Sequence, residues 1–408
     1  MDIRPILVTL QRHRVAALLI VLEIALSCAI ICNALSLVAQ RLDHLRQPSG
    51  IDEDRLLRIN VAGAAPDSNP DARTQEDLAA LRTLPGVESA TTINQLPLSQ
   101  NGEFNTSLDP SPDQPNPMLS ASLYMGCEDL LPTLGVRLLA GRNLQATDCI
   151  DYSLIESGKA DFDHLRLAVL LNHDTAGKLF PGGNALGKNI YSGDLPMTVV
   201  GIVSTLARTS TLLSDNYTIV LPLSTNYANA GSYLVRVKRP EDRDSVMQAA
   251  IAKLVGHDPN RMLLEHDSYA QIRRDFFSRD RDMIAMMLIV CALLLVVTAL
   301  GIVGLASFWV QQRTRQIGIR RALGATRRQI QQYFQLENFL ITSSGIVLGM
   351  LLAYALNLLL MAHYELPRLP LVCLPIGAIL LWLLGQLSVL APARRAAAVP
   401  PAVATRSA

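Results

Sequence analysis

Lys188 is the residue best placed by spacing to do nucleotide chemistry, because Gly182 to Asn189, GGNALGKN, satisfies G-x-x-x-x-G-K. In a phosphate-binding loop the glycine amides cradle phosphates and the lysine neutralises them. Asn189, however, stands where a serine or threonine would bind magnesium, and Lys178 to Pro181 does not read as a buried strand leading in. A surface loop whose glycines serve turns is the expectation. The other acids, bases and ligand types give less: His164, His173, His257 and His266 lack metal-ligand spacing, and Asp161 with Asp163 reads as solvated loop charge. Neither His-Glu-x-x-His nor Gly-x-Ser-x-Gly occurs. The sequence therefore implies a non-catalytic chain that binds no metal and no cofactor of its own.

The most densely patterned stretch is Gln311 to Ile330, QQRTRQIGIRRALGATRRQI, with six arginines and no acidic residue. An apolar ladder of Ile317, Ala322 and Leu323 beside Arg320 and Arg321 suggests a helix continuing from the apolar run before it. Gly324 suits its end, and Thr326 with Gln329 reads as a capping box that starts the next helix. Two readings stand at this point: an ordinary basic loop on the cytoplasmic face of a membrane, or a rigid helix-turn-helix knuckle projecting from it.

Four apolar blocks must position that stretch: roughly Val15 to Gln40, Met283 to Val310, Phe339 to Ala362 and Leu369 to Ala391. Each exceeds the roughly 20 residues needed to cross a hydrocarbon layer. The chain is 50% hydrophobic and only 17% charged, which agrees with a polytopic membrane protein. Arg4, Arg12 and Arg14 precede the first block, and Arg394, Arg395 and Arg406 follow the fourth, whereas the turn after the third has only Arg368 beside Glu365. Both termini are thus expected in the cytoplasm and residues 41–281 outside. The first run is too long for a signal h-region and is read as an uncleaved anchor. The expected order is 1–14 cytoplasmic, 15–40 span, 41–281 external, 282–310 span, 311–333 cytoplasmic, 334–362 span, 363–368 external turn, 369–392 span and 393–408 tail.

Polar residues inside the spans stand out. Glu23 must face protein, water or headgroups, since a carboxylate at mid-depth costs on the order of 2.5 kcal/mol or more; pairing with an interfacial arginine or another helix, and a role in coupling or substrate movement, are both open. Asn33 reads as interhelical hydrogen-bond glue, and Glu337 sits at the mouth of the third span. Gly345 with Gly349 forms a GxxxG pair, and Gly301 with Gly304 marks the second span, which favours close packing within one chain over a dimer contact. Cys28, Cys32, Cys291 and Cys373 fall in spans, whereas Cys127 and Cys149 fall outside, where a bridge is permitted and not required. There is no basic face interleaved with aromatics, so nucleic acid is not an expected partner.

The external region is expected to hold two split halves of one α/β unit. Arg55 to Ala62 alternates as a strand, Thr74 to Leu84 opens with a Thr-x-x-Asp cap as a helix, and Val87 to Leu96 follows as a strand. Tyr233 to Lys238, Arg243 to Val255 and Arg261 to His266 repeat that order, and Tyr269 to Asp282 leads as a helix into the second span. The middle is an insertion that begins with a disordered-looking crossing, Pro97 to Pro117.

With these residues in place, a family resemblance emerges. Arg313, Ile317, Gly318, Arg321, Ala322, Gly324 and Ala325 match R-x-x-E-I-G-x-x-R-A-x-G-A, the cytoplasmic signature of MacB/FtsX-type ABC transporter permeases. Gln316 stands where that family usually has glutamate, which keeps a hydrogen bond and drops the charge. Leu138 to Asp148 (LLAGRNLQATD), Leu167 to Ile190 and Met197 to Thr205 (MTVVGIVST) resemble the family's extracytoplasmic domain, Glu337 matches a frequent glutamate, and PARRAAAVPPAVATRS resembles its ending.

The resemblance implies an α-helical membrane protein with four transmembrane helices plus an α+β extracytoplasmic domain, a split βαβ porter-like part with an inserted mixed subdomain, and an FtsX-like permease domain over about 285–400. It also implies a multi-pass protein of the inner (plasma) membrane whose ATP and magnesium are held by a separate cytoplasmic ABC ATPase. That partner would couple through Arg313, Gln316, Ile317, Gly318, Arg320, Arg321, Ala322, Gly324, Ala325 and Thr326. A second permease copy or paralogue, the lipid bilayer and a periplasmic adaptor complete the implied partners. Export by mechanotransmission is the leading expectation, with drugs, peptides, lipoproteins and siderophores all admissible. An ATP-driven regulator of an external cell-wall hydrolase and a receptor without an ATPase are the alternatives.

Overall fold

The computed structural model describes residues 14–64, 67–99, 104–112, 118–159, 166–210, 215–229, 231–258, 261–364, 370 and 372–398. Arg4, Arg12, Asp161, Asp163, His164, Glu365, Arg368 and Arg406 lie outside them, as does most of the turn after the third span. The chain divides into a membrane unit, residues 1–45 with 279–408, and an external unit, residues 46–278.

In chain order, helix α1 (Arg14–Leu45) opens the membrane unit. The external unit begins with β1 (Leu56–Gly63), α2 (Pro70–Arg82) and β2 (Val87–Ile93). The insertion follows as β3 (Asn105–Leu108), β4 (Leu119–Met125), α3 (Leu130–Leu134), β5 (Leu138–Gly141), β6 (Ile150–Asp151), α4 (Tyr152–Glu156), β7 (Leu167–Asn172), α5 (His173–Leu179), β8 (Asn189–Ser192), β9 (Leu195–Val203), β10 (Thr218–Leu221) and β11 (Leu223–Ser224). The second half is β12 (Ser232–Val237), α6 (Arg243–His257), β13 (Arg261–Ser268) and α7 (Tyr269–Phe276). The chain then returns to the membrane unit with α8 (Ser278–Gln312), α9 (Thr314–Ala322), α10 (Arg327–Tyr364) and α11 (Cys373–Ala398). Four of these helices, α1, α8, α10 and α11, are long and apolar enough to span a membrane.

The two halves of the external unit interleave in one antiparallel sheet, ordered β13-β1-β12-β2. Alternation along β1 explains why both faces are covered. Leu57, Ile59 and Val61 pack under Leu78 and Leu81 of α2 and Val246, Ala250 and Leu254 of α6. Leu56 points the other way and joins Ile93 and Leu234 against Tyr124, Leu134, Leu170 and Val203 of the insertion. The insertion is itself a mixed sheet, ordered β3-β4-β10-β7-β9-β5 with β8 on the edge of β9, and its β4–β10 and β7–β9 pairs are parallel.

Three local expectations need correction. Helix α2 starts at Pro70 rather than at a Thr74 cap: Asn69 accepts from the Ala72 amide and proline takes a first-turn position where no N–H is needed, while the Thr74 hydroxyl bonds back to the Pro70 carbonyl at 2.7 Å. The stretch from Pro97 to Pro117 contains a strand, β3, because Asn105 to Leu108 finds antiparallel partners in β4. Tyr269 to Asp282 is two helices, since Phe277 leaves helical geometry between α7 and α8 (φ −91°, ψ 10°).

Candidate functional site

The arginine-rich stretch folds as a helical hairpin at the end of α8. Gln312 is the last residue of α8, and Arg313 (φ −102°, ψ 10°) separates it from α9, so the expected continuous helix is interrupted. Thr314 supplies a physical reason: its hydroxyl donates to the carbonyls of Val310 at 3.0 Å and Gln311 at 2.9 Å, a back-bond that bends helices. Leu323 closes α9, and Gly324 follows at φ +99°, a left-handed conformation that suits glycine. The next helix is then capped reciprocally. Gln329 accepts from the Thr326 amide at 2.9 Å, and Thr326 accepts from the Gln329 amide at 3.3 Å.

A buried ion pair braces this hairpin. The Arg313 Nη1 donates to both carboxylate oxygens of Glu337, at 3.0 and 2.9 Å, and both side chains are almost fully buried. The guanidinium also lies 5.6 Å from the Trp309 ring centre. Both charges stand out in the sequence but their pairing does not, its signal being a single carboxylate close to six arginines. The apolar ladder divides differently from expectation: Ile317 is buried, whereas Ala322 is exposed, Leu323 is 82% exposed and Ile319 is 47% exposed. The hairpin tip therefore presents apolar side chains beside exposed Gln316, Arg320 and Thr326. Gly318 is buried, and Arg321 and Ala325 are half-buried.

Elsewhere in the membrane unit, Glu23 has no ion pair among the described residues, and its carboxylate sits against Gly301 of α8, where an added Cβ would come within 2.5 Å of Oε1. One turn along the same seam, Ser27 and Thr298 share a hydrogen bond of 2.8 Å. The Asn33 amide donates to Ala353 of α10 at 3.3 Å, which links two spans. Gly345 and Gly349 face Ile24, Ala25 and Cys28 of α1, so this pair packs helices of one chain.

In the external unit, Cys127 and Cys149 form a disulfide with Cα atoms 5.8 Å apart. The Gly-Arg followed by Asp in LLAGRNLQATD has a structural explanation: Arg142 donates to both oxygens of Asp148, at 2.6 and 3.1 Å. This guanidinium, helped by the Gln145 amide, holds the Asp148 carboxyl below its ordinary value against the opposing effect of burial. The G-x-x-x-x-G-K segment runs into strand β8 rather than a helix. Its Gly187 amide donates to Val199, and its Lys188 amine lies 4.8 Å from the Phe180 ring centre. That is the geometry of a hairpin approach, not of a phosphate cradle.

Four spanning helices that flank a split βαβ unit with a large insertion define a polytopic membrane protein of permease architecture. A model of the MacB-like periplasmic core domain matches residues 17–253, over half the chain, and a model of the FtsX-like permease C-terminal region matches residues 288–401. The chain belongs to the MacB/FtsX family of ABC transporter permeases. It is 30% identical over 239 residues to a protein described as probable syringafactin export ATP-binding/permease protein SyfD of Pseudomonas syringae pv. tomato, covering 53% of this chain and 33% of that one. It is 28% identical over 194 residues to the macrolide export ATP-binding/permease protein MacB of Escherichia coli, covering 46% and 30% respectively. The chain thus spans about a third of the length of these relatives. Among solved structures, the periplasmic region of MacB from Actinobacillus actinomycetemcomitans aligns with 58% of this chain and 97% of its own at 18% identity and a TM-score of 0.33. The extracellular domain of YknZ from Gram-positive bacteria aligns with 52% of this chain and all of its own at 15% identity and a TM-score of 0.33.

Proposed function

We propose that this chain is the permease subunit of an exporter of the inner membrane, driven by a separate cytoplasmic ABC ATPase that docks on the α9–α10 hairpin. Arg313, Gln316, Ile317, Gly318, Arg320, Arg321, Ala322, Gly324, Ala325 and Thr326 form or support the docking element. The observation that carries this reading is the exposed tip: Ile319 and Leu323 face outward at the end of a turn braced by the buried Arg313–Glu337 pair. A stiff hairpin transmits displacement, and exposed apolar side chains ringed by cations suit a partner with an apolar groove and acidic rim. Displacement of α9 would pass to α8 through Arg313, and α8 is separated from α7 of the external unit by Phe277 alone. The roles described for the relatives, export of syringafactin and of macrolides, favour export as the output.

In this reading the termini are cytoplasmic, nucleotide and magnesium are bound by the partner, and a second permease completes the assembly. Ile319→Ser with Leu323→Ser tests it, because both residues are exposed and the fold does not depend on them. The reconstituted complex is expected to lose permease-stimulated ATP hydrolysis while the permease stays folded. Unchanged complex formation and hydrolysis in that variant would overturn the reading.

A further inference from the structure

Between α9 and α10 lies a cleft of about 220 Å³. Its floor is Ile317, Ile330 and Phe334, all buried, and its polar side carries Gln316, Arg320 and Tyr333. The Arg320 guanidinium is held over the Tyr333 ring at 5.0 Å from its centre and has no carboxylate partner among the described residues. Glu337, the nearest acid along α10, is engaged by Arg313, so nothing acidic from the hairpin offsets the charge at the cleft mouth.

Position relative to the bilayer follows from helix rise. The apolar run of α8 ends at Val310, and that of α10 begins at Phe339. Tyr333 and Phe339 belong to the same helix, so at about 1.5 Å per residue Tyr333 stands about 9 Å from the start of the α10 apolar run. A headgroup layer is roughly 5–8 Å deep on each side of the hydrocarbon, so the cleft opens at its aqueous edge, and helix tilt brings it closer. Arginine and tyrosine are the residue types that anchor at this depth.

We infer that the cleft is a site for the phosphate headgroup of an anionic phospholipid. Arg320 faces the phosphate, Gln316 and the Tyr333 hydroxyl supply hydrogen bonds, and the apolar floor receives the glycerol and first acyl carbons. A free inorganic anion would gain nothing from that floor, which is why the lipid is favoured over phosphate itself. The inference does not depend on which leaflet faces the hairpin, nor on the docking of an ATPase.

The test is native mass spectrometry of the full chain in detergent, titrated with phosphatidylglycerol or phosphatidylcholine. Phosphatidylglycerol is expected to bind about fivefold more tightly, one arginine near the surface being the source of the difference. Arg320→Gln and Tyr333→Leu should each remove the preference, whereas Arg315→Gln, an exposed arginine outside the cleft, should retain it. Equal binding of the two lipids overturns the site, and so does an equal loss in Arg315→Gln, which would mean diffuse surface charge. Displacement by excess inorganic phosphate would assign a free-anion site instead. Occupation by a protein segment would show as protection of the cleft by the partner ATPase with no lipid preference, and it too overturns the inference.

Discussion

Arg313 and Glu337 join the start of α9 to the third turn of α10 through one guanidinium nitrogen set 3.0 and 2.9 Å from two carboxylate oxygens. Their side chains are 9% and 2% exposed, so the pair is nearly dry. Removing one member of such a pair strands the other and costs about 3–5 kcal/mol, while replacing both with apolar groups is often neutral. Glu337→Gln and Arg313→Met are each expected to lower the melting temperature and folded yield in detergent, and Arg313→Met/Glu337→Leu to recover most of both. Fluorescence-detected size exclusion after heating reads this directly. A double variant as damaged as the singles would mean that the loss comes from the missing pair itself and not from a stranded buried charge.

Two glycines of the spans should respond differently to the same substitution. An added Cβ on Gly301 would approach the Glu23 carboxylate at 2.5 and 2.6 Å, the mobile end of a side chain that is able to swing away. On Gly349 it would approach the Cys28 Cβ at 2.5 Å and the Ala25 carbonyl oxygen at 2.7 Å, neither of which moves without the α1 backbone. Gly349→Ala is therefore expected to cost about 1–3 kcal/mol as overpacking, and Gly301→Ala less. Gly301→Leu should be the severe change at that site, partly rescued by Glu23→Ala. The order of melting temperatures decides, and Gly301→Ala falling below Gly349→Ala would contradict the packing of α1.

Local sequence determines some features of this chain and not others. Gly324 and the Thr326–Gln329 box were legible because a turn and its cap lie within a few residues of one another, so no distant contact overrides them. The split halves were legible because Leu57, Ile59 and Val61 alternate with Leu56 and Arg58, a period that only a strand can use. The α2 start was misplaced because Asn69-Pro70 and Thr74 both carry cap signals, and short spacing rules do not rank them. Strand β3 was hidden because its partners in β4 lie across residues 109–118 and its own segment is rich in proline. The pairing of Arg313 with Glu337 spans 24 positions and two helices, beyond the reach of any periodicity.

Acid should weaken the Arg142–Asp148 clasp of the insertion. The Asp148 carboxyl lies below its ordinary value of 3.8 chiefly because Arg142 donates to it, so the ionised form belongs to the folded state. Its contribution to stability is complete above the ordinary carboxyl value and disappears as pH falls through the depressed one. Arg142 is 42% exposed, so salt should reduce the effect. Unfolding midpoints of the full chain from about pH 6 down to about pH 3 are expected to fall less steeply in Asp148→Asn than in the parent, with the variant already weaker at the upper end. Parallel profiles would show that Asp148 is not differentially protonated on unfolding.

The Cys127–Cys149 bridge should be the covalent determinant of the external unit's stability. It closes a sequence separation of 22 residues, for which chain-entropy reasoning gives about 3 kcal/mol. The four remaining cysteines, Cys28, Cys32, Cys291 and Cys373, are buried in the membrane unit and unbridged, so the effect of reductant is assignable. Both bridged cysteines line a cleft of about 260 Å³ with Arg82 and Asp129, which gives a small thiol a route to the sulfurs. Reduction is expected to slow migration in denaturing gels and to lower the unfolding midpoint, and Cys127→Ser/Cys149→Ser should show the same midpoint with or without reductant. Cys127→Ser alone should leave Cys149 available to alkylating reagent. If the parent takes up that reagent at Cys149 without prior reduction, the bridge does not form in the folded chain, and the external unit relies on packing alone.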